Sequence, residues 1–219
     1  MKAWRSLVLA AAACLLAATS QAAEVRGRVL TAAGEPIAQA IVFLEDGPAP
    51  EPAAEHAPTT PAIMDQVDKQ FVPHVLPIVV GTSVRFPNHD QIHHHVFSFS
   101  RLKSFDLPLY RDEEPAPVVF DRAGVVRVGC NIHDWMSGVI LVLPTKYYAS
   151  TDASGAFAID GVPPGPHTLV VWHERSATKV EETAQVVEVG SAPPAELLFT
   201  LSLQETRARP GVNGAREYR

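Results

Sequence analysis

Beyond residue 22, apolar residues do not recur at the spacing of a helix face. They come in short runs that alternate or are β-branched, cut apart by proline and glycine. The 19 Pro and 13 Gly leave little room for uninterrupted helix, because proline removes an amide donor and glycine loosens the backbone. The remaining runs read as strands: EVRGRVL (24–30), AIVFLE (40–45), VRFP (84–87), VFSFS (96–100), GVVRVG (124–129), GVILVL (138–143), TLVVW (168–172) and LLFTLSL (197–203). The expected fold class is all-β, and two edge-matched β-sandwiches account for the segments.

The first 22 residues have a basic start (Lys2, Arg5), an apolar run too short to span a bilayer, and small residues before Ala22. They read as a signal peptide (1–22) cleaved near Ala22, which predicts export to the periplasm and no membrane span. Cleavage would remove Lys2, Arg5 and Cys14. The remainder holds 16 Lys+Arg against 24 Asp+Glu, a formal charge of 16 − 24 = −8, so nucleic acid is not an expected partner. Cys130 would then be the sole thiol. Exported chains usually pair their cysteines, so a single one calls for another use.

Residues 47–60, GPAPEPAAEHAPTT, are too rich in Pro, Ala and Glu to pack and read as a linker. The tail 205–219, with 4 Arg and 2 Glu, reads as disordered. On either side of the middle segment stand VRGRVLTAAGEPIAQAIVFLED and TDASGAFAIDGVPPGPHTLVVWHE, in which Gly34 and Gly155 permit positive φ and Pro163, Pro164 and Gly165 fix a reversal. These two stretches resemble consecutive parts of the carboxypeptidase regulatory-like (transthyretin-like) domain. The resemblance implies one discontinuous sandwich, 24–46 with 147–203, into which residues 61–144 are inserted, and a module without catalysis.

The chemistry is concentrated in GCNIHDWM (129–136), which sets Cys130, His133 and Met136 at intervals of three. A thiolate, an imidazole and a thioether are donors that select copper, and two His with one Cys and a distant Met describe an electron-transfer site. A second His must come from elsewhere. The run FPNHDQIHHHVFSFS (86–100) supplies candidates about 36 residues upstream of Cys130.

With that strand added, residues 64–143 resemble the plastocyanin and amicyanin family of small blue copper proteins, the cupredoxins. The resemblance is carried by MDQ (64–66), FVPHVLPIVVGTSVRFPN (71–88), the His-bearing strand, FDRAGVVRVGC (120–130) and GVILVL. It implies one type 1 copper ion held by His94, Cys130, His133 and, weakly, Met136. The family's spacing, counted from Phe86, points to His94. Alternation along the strand leaves His95 open, since a slip of one residue exchanges the two faces. The family has an Asn at the place of His95 and often a Pro beside His133; here Asn131, Ile132, Asp134 and Trp135 fill the loop.

The implied function is not enzymatic: an exported carrier of single electrons between redox partner proteins, with the exposed edge of His133 beside Trp135 as the port. The alternatives are a copper-binding or copper-delivery protein and a non-redox binding module. Cys130 and His133 as nucleophile and base lack an orienting third group, and zinc rarely recruits Met. His74, His89 and His93 read as solvated or hydrogen-bonding residues, and the acidic stretches at 45–46 and 112–114 as solvated loops able to steer a basic partner. The combined layout is similar to that of proteins labelled as methylamine-utilisation proteins, although no residue here indicates amine oxidation.

Overall fold

A computed structural model describes residues 23–47, 60–190 and 194–205. The signal segment, nearly all of the 47–60 linker and the tail beyond Glu205 lie outside the described residues. The chain is all-β. It begins with β1 (Ala23–Thr31) and β2 (Ile41–Leu44), followed by β3 (Ala62–Ile63), β4 (Asp65–Val67), β5 (Gln70–Val72), β6 (Val75–Val79) and β7 (Ser83–Arg85). Next come β8 (Phe97–Ser100), β9 (Lys103–Asp106), β10 (Val118–Val119), β11 (Gly124–Cys130) and β12 (His133–Leu143). The last are β13 (Tyr148–Ser150), β14 (Ala156–Val162), β15 (Gly165–Trp172), β16 (Gln185–Val189) and β17 (Leu197–Leu201).

Strands from the two ends of the chain share sheets. One sheet has the order β14-β1-β17 and another β13-β2-β15-β16, and the apolar residues between them form one core around Val42, Leu44, Phe157, Leu169 and Phe199. The central segment forms a five-stranded sheet, β6-β12-β11-β8-β9, facing β10-β7-β3 across a second core that contains Phe71, Phe86, Phe120, Val126 and Ile140. The small β4-β5 hairpin lies beside it, with Phe71 of β5 in that second core.

The two sandwiches meet through their faces rather than along their edges. A third apolar layer is made of Ile41, Phe43, Val170 and Trp172 from one side and Val139, Leu141 and Leu143 from the other. Alternation explains it. On β12, Ile140 and Val142 point into the central core, while Val139, Leu141 and Leu143 point into the contact layer. On β2, Val42 and Leu44 enter one core and Ile41 and Phe43 enter the other layer. Strands buried on both sides become continuous apolar runs, IVFL and GVILVL, whereas β1 keeps an alternating pattern because one of its faces meets water. Polar contacts reinforce the layer: Glu174 accepts from His74 Nε2 at 2.7 Å and lies 3.5 Å from Arg127 Nη1.

Several boundaries differ from the sequence expectation. The strand expected at 138–143 begins at His133, because the hairpin pairing of β11 with β12 carries on through the loop. The tight turns depend on glycine where expected, with φ of 83° at Gly34 and 75° at Gly155.

Candidate metal centre

The β11-β12 hairpin positions Cys130, His133 and Met136. Cys130 and His133 are register partners across the turn Asn131-Ile132, and the next pair toward the sheet is Gly129 with Ser137. Asp134, Trp135 and Met136 therefore have no partners on β11, and the ladder bulges at this point. The bulge folds the His133 ring back over the thiol and returns Met136, 2% exposed, to the core cluster that also holds Cys130.

His94 arrives from the segment before β8. Its backbone makes a reciprocal pair with Tyr110, His94 N–H to the Tyr110 carbonyl and Tyr110 N–H to the His94 carbonyl, both at 2.9 Å. The Asn88 amide donates to the Ile92 carbonyl at 2.9 Å and to the Tyr110 carbonyl at 3.2 Å, closing the loop that carries the His run. Tyr110 is anchored in turn: its hydroxyl donates to the Phe86 carbonyl and accepts from the buried Gln66 amide at 2.5 Å. Burial raises the Tyr110 phenol far above its ordinary range and keeps it a neutral donor.

These elements bring three donor atoms together. His94 Nδ1 lies 3.8 Å and His133 Nδ1 3.6 Å from Cys130 Sγ, and all three atoms lie within 4.8 Å of one another. His94 is 0% exposed and its ring centroid stands 4.9 Å from that of His133. Burial, then the neighbouring His94 and Lys69, hold the His133 imidazole below its usual range, which favours a neutral ring with a free lone pair.

The donor set fits a copper ion. With bonds of about 2.0 Å to nitrogen and about 2.3 Å to sulfur, a nitrogen and a sulfur placed about 120° apart around a first-row ion stand about 3.7 Å from each other. The observed 3.6 and 3.8 Å need little rearrangement to reach that spacing. Met136 shares the same buried cluster, and a thioether beside thiol and imidazole suits a soft or borderline ion better than a hard one.

Three other histidines are engaged elsewhere. His95 points away from the thiol, where its Nε2 lies 2.5 Å from Asp106 Oδ1. His89 Nδ1 lies 2.7 Å from Asp65 Oδ2, and His74 meets Glu174. Among the described residues, His94, Cys130 and His133 form the metal-capable cluster. Trp135, 52% exposed, lies with its ring centroid 5.6 Å from that of His133, so an aromatic surface adjoins the half-buried His133 ring.

Sequence reasoning did not single out Asp90. Its Oδ2 accepts from His94 Nε2 at 2.7 Å and from the Lys69 amide at 2.8 Å, and its Oδ1 accepts from the Asp68 amide at 2.7 Å. Burial works against its ionisation, but the Lys69 amide, the His94 ring and the Asp68 amide together hold its carboxyl below the ordinary value. The one signal available was an acid four residues before a histidine.

No protein-family model matches the chain, and no curated protein matches it. Among solved structures, the chain is similar to a purple cupredoxin from Nitrosopumilus maritimus, with 25% identity, 37% of this chain and 98% of that one covered, and a TM-score of 0.34. It is similar to a copper-containing nitrite reductase from Thermus scotoductus SA-01, with 26% identity, 45% of this chain covered and a TM-score of 0.38; the match spans 26% of the reductase. It is also similar to an oxidized amicyanin variant, with 22% identity, 46% and 97% of the two chains covered, and a TM-score of 0.36.

Proposed function

We propose that this protein holds one copper ion between His94, Cys130 and His133, with Met136 as a weak further donor, and that it carries single electrons between partner proteins. The observation that carries the reading is the gathering of two imidazole nitrogens around one buried thiol at 3.6 and 3.8 Å. When bound, copper supplies the one-electron couple. The chain supplies rigidity: His94 is fixed by a strand-like bridge to Tyr110, and Cys130 and His133 are fixed by their register on one hairpin.

His133, flanked by the exposed Trp135, is the proposed route by which electrons enter and leave. No enzymatic step is assigned. The proposed setting is the periplasm, after cleavage near Ala22, with unidentified redox proteins as partners. Among the described residues no helix is long and apolar enough to cross a membrane.

The test is the visible spectrum of copper-loaded protein beside Cys130→Ser. The wild type should show an intense thiolate-to-copper band that the variant lacks, while the far-ultraviolet spectrum of the β fold stays unchanged. A pale wild-type complex would favour copper delivery, and a band that survives in Cys130→Ser would overturn the assignment of the sulfur donor.

A further inference from the structure

The β4-β5 hairpin turns through Asp68 and Lys69, both in the left-handed region, with φ of 52° and 57°. Hairpins that need positive φ at both turn positions normally use Asn-Gly, because a side chain there costs about 1 kcal/mol or more per residue. Neither residue here is glycine. What the turn achieves is the aim of its two amides, which both reach the Asp90 carboxylate, at 2.7 Å from Asp68 and 2.8 Å from Lys69. The same carboxylate meets His94 Nε2 at 2.7 Å, and the opposite nitrogen of that ring faces Cys130.

Three donors converge on two oxygens, and that arithmetic fixes the chemistry. Oδ1 takes the Asp68 amide, while Oδ2 takes the Lys69 amide and His94 Nε2. A carboxylate accepts at both oxygens, whereas an asparagine amide in either orientation would set an NH2 against a backbone N–H. Because the carboxylate only accepts, Nε2 carries a ring proton, and in the neutral ring Nδ1 is left with its lone pair toward the sulfur.

We propose that Asp90 is the positioning residue of the centre: clamped by the Asp68-Lys69 turn, it locks His94 in the Nε2–H form and sets the electron-donating power of Nδ1. This rests on the copper reading only in its second half. The partly buried negative charge behind the ring should favour Cu(II) over Cu(I), and loss of such a partner typically changes metal affinity about tenfold to a hundredfold.

The experiment compares the full-length chain with Asp90→Asn and Lys69→Gly. In metal-free protein, long-range 15N–1H spectra should show His94 as the Nε2–H tautomer in the wild type and in Lys69→Gly, which keeps the amide and suits the positive φ. Asp90→Asn should give the Nδ1–H form or a mixture. In competition titrations with Cu(I) and Cu(II) chelators, Asp90→Asn should lower the ratio of Cu(II) to Cu(I) affinity by about tenfold, equivalent to about 59 mV for a one-electron couple.

An Nδ1–H tautomer in the metal-free wild type would overturn the proposal without reference to any variant, so failure of Asp90→Asn to fold would not leave it undecided. An unchanged tautomer in a folded Asp90→Asn would overturn it equally, as would an unchanged affinity ratio. If the wild type takes up no copper at Cys130, the copper reading fails, and the tautomer alone decides the role of Asp90.

Discussion

Leu141→Ala tests whether the two sandwiches behave as one body. Leu141 is 4% exposed and lies in the layer with Ile41, Phe43, Val170 and Trp172, while its neighbours on β12, Ile140 and Val142, point into the central core. The substitution removes three carbons, and each buried carbon contributes about 0.8 kcal/mol. With the cavity left behind, the cost should be about 3 kcal/mol, inside the range of about 2–5 kcal/mol for such changes. For a chain of this size each kcal/mol lowers the melting temperature by about 2–4 °C, so the expected fall is about 6–12 °C. Calorimetry of the metal-free protein should show one transition displaced as a whole, because β12 belongs to both the central core and the contact layer. The exposed Leu198, at 57%, provides the control, since Leu198→Ala should change stability by less than about 0.5 kcal/mol. Two resolved transitions of which only one moves, or a cost below about 1 kcal/mol, would refute the claim that the contact layer couples the sandwiches.

Thr151→Val should cost about 1–3 kcal/mol by urea titration, because the buried Thr151 hydroxyl donates to the Ile37 carbonyl at 2.7 Å and accepts from the Ala40 amide at 2.9 Å, and valine leaves both without a partner. Met136→Leu, close in volume, should leave metal-free stability within about 1.5 kcal/mol, yet raise the reduction potential of the proposed copper centre, which its weak axial ligand would tune. Burial, first of all, holds His173 and His133 below the ordinary imidazole value of 6.5, so the folded state prefers the neutral rings. Their contribution is therefore complete above pH 6.5 and is lost as pH falls below it, which should lower the denaturant midpoint of metal-free protein between about pH 7 and pH 5; His173→Gln should flatten that slope.

How far the sequence revealed this molecule depended on whether a feature was periodic. Alternating or β-branched runs marked strands such as β1, β11 and β15, since the period of a strand is written in its residues. The Cys-x-x-His-x-x-Met spacing was equally legible. Counting from Phe86 pointed to His94, whereas alternation treated His94 and His95 alike; the structure places His94 by the thiol and His95 beside Asp106. The face-to-face layering was present in IVFL and GVILVL, but an apolar run reveals burial on both sides without naming what covers each side. Asp90 was hidden for a different reason. It acts across a loop on a ring four residues away and depends on a turn that lacks the usual glycine, so neither spacing nor composition marked it.

The layering also restricts how this chain can drift over time. On β1 one side of the strand is free to exchange polar residues, but at 41–44 and 139–143 both sides are enclosed, and a polar replacement at any of these positions strands an unsolvated group. A saturation library selected for expression should accordingly tolerate every second residue along β1 and almost none along those two segments, so the least variable stretches of the family tree would mark the join between the sandwiches as strongly as they mark the donor atoms.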